Sequence, residues 1–135
     1  MKKFFLITFL TIQVTACNQL HLEYEDFNYC HITWQETFSQ EPEMYYLYFY
    51  STHCSHCRAI KDDVLKFANS FKDNFFFIKQ SSSFVYSKTG ESNIGVDNSE
   101  DFSIVGIPSL CLLESHKVVE YYKGEEEIIG YIKNL

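Results

Sequence analysis

The hydrophobic period of this chain changes at residue 54. Met44 to Tyr50 is an unbroken apolar and aromatic run of strand length. Beyond residue 54, Ile60, Val64, Phe67, Ala68 and Phe71 recur at helical spacing, with Lys61, Asp62, Lys66 and Asn69 on other faces. The first pattern predicts a strand covered on both sides, and the second an amphipathic helix of about five turns. At the junction stands Cys54-Ser55-His56-Cys57. Two thiols at that spacing can close a disulfide within one helical turn, and the helix N-terminus stabilises a thiolate there. Reversible thiol–disulfide exchange requires both properties.

The flanking sequence fits around this junction. Tyr29 to Ile32 reads as a first short strand. Thr33 and Glu36 have the spacing of a capping box for a short helix to about Ser39, stopped by Pro42. Phe75 to Lys79 reads as another buried strand. Gln80 to Ser99 is loop by composition, with Phe84 to Tyr86 as a short strand inside it. Asp97 to Glu100 predicts one capped helical turn. Ser109 to Leu113 and Lys117 to Tyr122 read as a hairpin about Ser115-His116. Gly124 breaks the chain before a last helix, acidic at its start (Glu125, Glu126, Glu127) and carrying Lys133 near its end. The order is βαβαβ followed by ββα, with parallel strands first and antiparallel strands after.

With 135 residues the chain is long enough for one domain, and 46% apolar content with 13 Phe supports a packed core. A formal charge of -7 argues against nucleic acid as a partner. No segment approaches the ~20 apolar residues that span a bilayer. Lys2 and Lys3 precede a short apolar run, Phe4 to Val14, with the proportions of a signal peptide. It ends in Val14-Thr15-Ala16-Cys17, which resembles a bacterial lipobox with Val where Leu is usual. An ordinary secretory signal cleaved near a cysteine is the alternative. The expected organisation is a lipoprotein signal peptide at 1–16, a lipidated N-terminus and tether at 17–28, and a folded domain at 29–135. That places the domain outside the cytoplasm of a bacterial cell, lipid-anchored to the cell membrane through Cys17. Stable anchoring needs more than one acyl chain.

The element order, Cys54-x-x-Cys57 opening the second helix, Gly106-Ile107-Pro108 before the hairpin and the glycine at 124 together resemble thioredoxin, over Tyr29 to Leu135. The resemblance implies an α/β fold: a thioredoxin-like central mixed β-sheet of βαβαβββα type flanked by helices. It implies that Cys54 is the attacking thiol and Cys57 the buried resolving thiol, pairing as a Cys54–Cys57 disulfide. It also implies a cis Ile107-Pro108 bond against that disulfide, and a partly buried Lys79 behind the site. No cofactor is expected, since the disulfide is the redox centre. The expected partners are thiols and disulfides of exported proteins, together with a redox partner the sequence does not identify. Several positions depart from the family. Tyr48 stands where it has a buried acid, His53 where a Trp is common, Ser55-His56 where it has Gly-Pro, and Asp62 where it has a mid-helix proline. About ten residues are added between 80 and 99 relative to the family's shortest form, and the loop around Thr89-Gly90-Glu91 is a candidate for shaping partner choice.

His53 and His56 are candidate stabilisers of a Cys54 thiolate, by hydrogen bond or positive charge. Stabilising the dithiol form makes the disulfide more oxidising, so the expected potential lies above that of a reducing thioredoxin with Gly-Pro between its cysteines. A competing reading makes His53-Cys54-Ser55-His56-Cys57 a metal-binding or partner-binding module without redox turnover. Adjacent residues on one turn surround a tetrahedral ion poorly, and no second Cys-x-x-Cys completes a set. Arg58 after Cys57 excludes a c-type haem site. Cys111 reads as an inert core thiol, Cys30 as unplaced, with Cys111 or another chain as a partner, and His21, His31 and His116 as surface residues.

Overall fold

The computed structural model describes residues 20–87 and 92–135. The expected signal segment, Cys17 and the Thr89-Gly90-Glu91 loop lie outside the described residues. Four strands and two α-helices follow in chain order: β1 Met44–Tyr50, α1 Ser55–Phe71, β2 Phe75–Lys79, β3 Ser109–Glu114, β4 Lys117–Lys123 and α2 Gly124–Lys133. The sheet runs β2-β1-β3-β4. β1 pairs parallel with β2 and antiparallel with β3, and β3 pairs antiparallel with β4.

Because β1 is central, alternate side chains enter two different cores. Tyr46, Tyr48 and Tyr50 face α1 and α2, packing with Ile60, Val64, Leu65 and Phe67 of α1 and Ile128 of α2. Tyr45, Leu47 and Phe49 face the other side. Each large apolar side chain so buried is worth ~1.5–3 kcal/mol relative to exposure, which explains why this strand carries no charge. The second face has no α-helix over it among the described residues. Trp34, Phe84, Phe102 and Ile104, supplied by irregular segments, cover it instead.

Several expectations need correction. The first strand is reduced to a single bridge, His31 to Phe77, and Tyr24–Cys30 forms a 3-10 helix. The cause is local: Glu23 and Asp26 form a capping box, and Phe27 and Cys30 are buried. The fold therefore begins before residue 29, and the stretch expected as tether up to 28 is partly core. The capped turn at Asp97 to Glu100 makes no helix. The Asn98 side-chain oxygen accepts from the amides of Glu100 and Asp101 at 3.1 and 2.9 Å, forming an Asx turn. Likewise Phe84 to Tyr86 contributes only one bridge, Tyr86 to Ile104. The described architecture is thus βαβββα around a mixed sheet flanked by helices. At the other capping box, Thr33 with Glu36, the helix is a 3-10 turn, Trp34–Glu36, which seats Trp34 in the second core.

Candidate active site

β1 ends at Tyr50, and a tight turn leads into α1. The His53 amide donates to the Ser51 hydroxyl at 3.1 Å, and the Cys54 amide to the Ser51 carbonyl at 3.3 Å. This turn makes Cys54 the N-cap of α1. Its sulfur accepts a hydrogen bond from the Cys57 amide at 3.1 Å, as an N-cap oxygen does in an ordinary helix. The first turn of α1 has no acidic residue, so nothing there opposes a negative charge on that sulfur. Cys54 is partly exposed and Cys57 is buried, and both carry free thiols. Burial, followed by the hydrogen bond to Cys54, pushes the Cys57 thiol well above its ordinary range. One sulfur is thus accessible and held by an amide, and the other is protected beneath it.

The Gly106–Pro108 loop, which leads into β3, approaches Cys54. The Ile107-Pro108 peptide bond is cis. The Ile107 carbonyl lies 3.8 Å from the Cys54 sulfur. A hydrogen-bond chain fixes the loop: the Val105 amide donates to the Tyr121 hydroxyl at 2.8 Å, Tyr121 to Ser109 at 2.9 Å, and Ser109 to the Gly106 carbonyl at 2.6 Å. The Gly124 amide donates to the Pro108 carbonyl at 2.8 Å. Gly124 reaches that carbonyl at φ 72, a left-handed conformation that favours glycine. Tyr121 and Ser109 gave no signal in the sequence, because their partners lie across the hairpin.

The supporting residues are less concentrated than expected. Ser55, the first residue of α1, is exposed, as is His53. The His56 imidazole is 72% exposed and turned to Glu125 of α2, with Nδ1 3.1 Å from its carboxylate. Lys79 is exposed at the end of β2 rather than partly buried. Beside Pro108 an open groove of about 850 Å³ runs between His56, Ile107, Lys123, Glu126 and Ile129. Among the described residues, no three His, Cys, Asp or Glu side chains converge as metal ligands.

The remaining cysteines and histidines also find their places. Cys30 and Cys111 are both buried, but in different cores on opposite faces of the sheet, which rules out the pairing considered between them. Burial pushes Cys30 up to about 11, and Cys111 well above the usual thiol range. His31 is not a free surface residue. Its Nδ1 lies 2.9 Å from the Phe27 carbonyl, which requires the proton there, so Nε2 accepts from the Tyr50 hydroxyl at 2.6 Å. His21 meets Glu23 at 2.8 Å, and His116 the Phe38 carbonyl at 3.0 Å.

Comparison with known proteins agrees with this geometry. The thioredoxin family profile matches residues 27–134. Mitochondrial thioredoxin 3 of Saccharomyces cerevisiae, in its oxidized form, superposes with a TM-score of 0.50 at 16% identity, covering 78% of this chain and 93% of that one. Plasmodium falciparum thioredoxin gives 0.51 at 14% identity, over 77% and 96%. Thioredoxin f from spinach chloroplast gives 0.50 at 14%, over 77% and 89%. At such identities these likenesses establish the fold. No curated protein matches the chain by sequence.

Proposed function

The chain belongs to the thioredoxin family, whose members are thiol–disulfide oxidoreductases acting through their own cysteines without a cofactor; from this we propose that Cys54 and Cys57 are its redox pair, in a lipid-anchored protein outside the cytoplasm. Cys54 attacks a client disulfide, releasing one client thiol and forming a mixed disulfide. Cys57 then attacks the Cys54 sulfur, releasing the second client thiol and leaving the Cys54–Cys57 disulfide. The reverse sequence oxidises a client. The observation that carries this reading is the N-cap geometry: an accessible Cys54 sulfur bonded to the Cys57 amide at 3.1 Å above a buried second thiol.

Substrate access fits the same arrangement. The groove beside Pro108 is open, and the Ile107 carbonyl at its edge is available to pair with an extended client segment. Exported proteins are the proposed clients, on the strength of the lipobox-like Val14-Thr15-Ala16-Cys17. Lipidation at Cys17 is checked by labelling cells with a radioactive fatty acid. Label is expected in the membrane-bound wild-type protein and absent from Cys17→Ala.

The redox reading is tested by trapping. Cys57→Ser should accumulate Cys54-linked mixed disulfides with exported proteins, resolved by reductant on a gel. Cys54→Ser should accumulate none. If Cys57→Ser traps nothing while remaining folded, the assignment of the pair is wrong.

A further inference from the structure

Most buried tyrosine hydroxyls of the two cores have a partner. Tyr45 donates to the Thr37 carbonyl, Tyr46 meets Tyr131, Tyr50 meets His31, and Tyr121 meets Ser109. Two do not: the hydroxyls of Tyr24 and Tyr48 are buried without a well-formed hydrogen bond, and the polar neighbour of each is the other. A buried hydroxyl left unpaired is costly and calls for an explanation. Both belong to the core that contains Cys57. Tyr48 is fully buried on β1, on the face beneath α1. Tyr24 is brought in by the N-terminal 3-10 turn, its ring stacked 4.0 Å from that of Tyr50. Lys61, paired with Glu23, lies over its outer face.

We propose that the Tyr24 and Tyr48 hydroxyls are a donor pair for the Cys57 sulfur, holding it as an anion in the resolving step. This rests on the assignment of Cys57 as the resolving thiol. Burial raises both phenols above the ordinary tyrosine range, and each lies within electrostatic reach of Cys57, of Cys54 and of the other. They therefore stay protonated at working pH and act as donors, not bases. A neutral O–H does not take the Cys57 proton, but it lowers the free energy of the thiolate that forms when the proton leaves. The step balances without an external base. Cys57 sulfur bonds to Cys54 sulfur, the bond from Cys54 to the client breaks, and the proton ends on the departing client thiol. In this step the Cys57 thiol is oxidised and one client sulfur is reduced; over both steps two protein thiols become one disulfide and the client disulfide becomes two thiols.

Among the described residues the groups around Cys57 are few. Cys54 faces it from the N-cap, the Ser51 backbone from the turn before α1, Tyr48 from β1 and Tyr24 from the N-terminal turn. Lys61 and Glu23 lie beyond Tyr24, and the neighbouring His56 is turned outward to Glu125. Phe77 of β2, Leu110 of β3 and Ile128 of α2 complete the same cluster and are apolar.

The test uses reduced protein and 5,5′-dithiobis(2-nitrobenzoate), which releases one coloured thiol when Cys54 attacks and a second when Cys57 resolves. Cys30 and Cys111, 2% and 0% exposed, are too buried to compete in the fast phases. Tyr24→Phe and Tyr48→Phe keep the rings and remove only the hydroxyls. Each should slow the second release, and the double variant should slow it by about tenfold or more, with the midpoint of its pH profile moved upward. The first release should be unchanged, and the melting temperature equal or higher. An unchanged second release in the folded double variant overturns the proposal. So does equal slowing of both releases, or a lowered melting temperature in both single variants. If the wild-type protein gives only the first release, the redox-pair assignment itself has failed, which is a different result.

Discussion

Cys54 combines two roles that different residues usually fill: it caps α1, and in the proposed function it carries the attacking sulfur. Its position was legible because the change of period and the paired cysteines coincide in four residues. The residues that aim the opposing loop were not legible. Tyr121 bonds Ser109 and the Val105 amide only because β3 and β4 pair in one register. Removing its hydroxyl takes the acceptor from the Val105 amide, which is exposed enough for water to replace it, a loss of ~0.5–1.5 kcal/mol. Tyr121→Phe should therefore lower the urea midpoint by that amount and slow exchange at Cys54. Unchanged stability and rate would show that the loop is held by other contacts. Gly124→Ala should cost ~1–2 kcal/mol through its positive φ alone, since nothing lies within 4 Å of an added methyl. Equal stability of the alanine variant would contradict that account.

Elements with an uninterrupted pattern were read correctly from the residues: β1, α1, β2, the hairpin and α2 fall where their periodicities place them. Elements resting on a cap alone were not. Asp97 to Glu100 and Thr33 to Glu36 both carry cap chemistry, but neither precedes an apolar stripe long enough to sustain an α-helix. Local capping then gave an Asx turn in one place and a 3-10 turn in the other. The Tyr24–Cys30 turn was hidden for a related reason, because its apolar contacts, Tyr24 on Tyr50 and Phe27 on Phe77, are with distant strands. The loop cover of the second core makes a prediction at this scale. Phe102 is fully buried against Trp34, Phe38 and Phe49, so Phe102→Ala should cost ~3–5 kcal/mol in denaturant unfolding. Thiol exchange in the folded fraction should persist, since Cys54 and Cys57 belong to the opposite face. Loss of exchange without loss of stability would mean that the two faces are coupled.

At the scale of the whole molecule, the core is unusually rich in groups that ionise in alkali. Burial raises Cys30, Cys57 and Cys111, as well as Tyr24, Tyr45, Tyr48 and Tyr50. The folded chain holds these protons where the unfolded chain releases them. Stability is therefore fully present below the unfolded thiol value of ~8.5, and is lost progressively above it and more steeply above the unfolded tyrosine value of ~10. Urea midpoints at pH 7, 9 and 10.5 should fall in that order, whereas a flat series would contradict the burial described. Function depends on a different whole-molecule property, the difference in free energy between the dithiol and disulfide forms. An amide-held Cys54 sulfur, an acid-free first turn of α1 and a neutral Tyr48 behind the pair all favour the dithiol form. The most direct test is equilibration of the wild-type protein in a series of thiol–disulfide redox buffers, with quantification of the Cys54–Cys57 disulfide. The predicted result is one reversible two-electron transition with a midpoint above the ~-270 mV of a reducing thioredoxin; the absence of a reversible transition, or a midpoint at or below that value, would contradict the account.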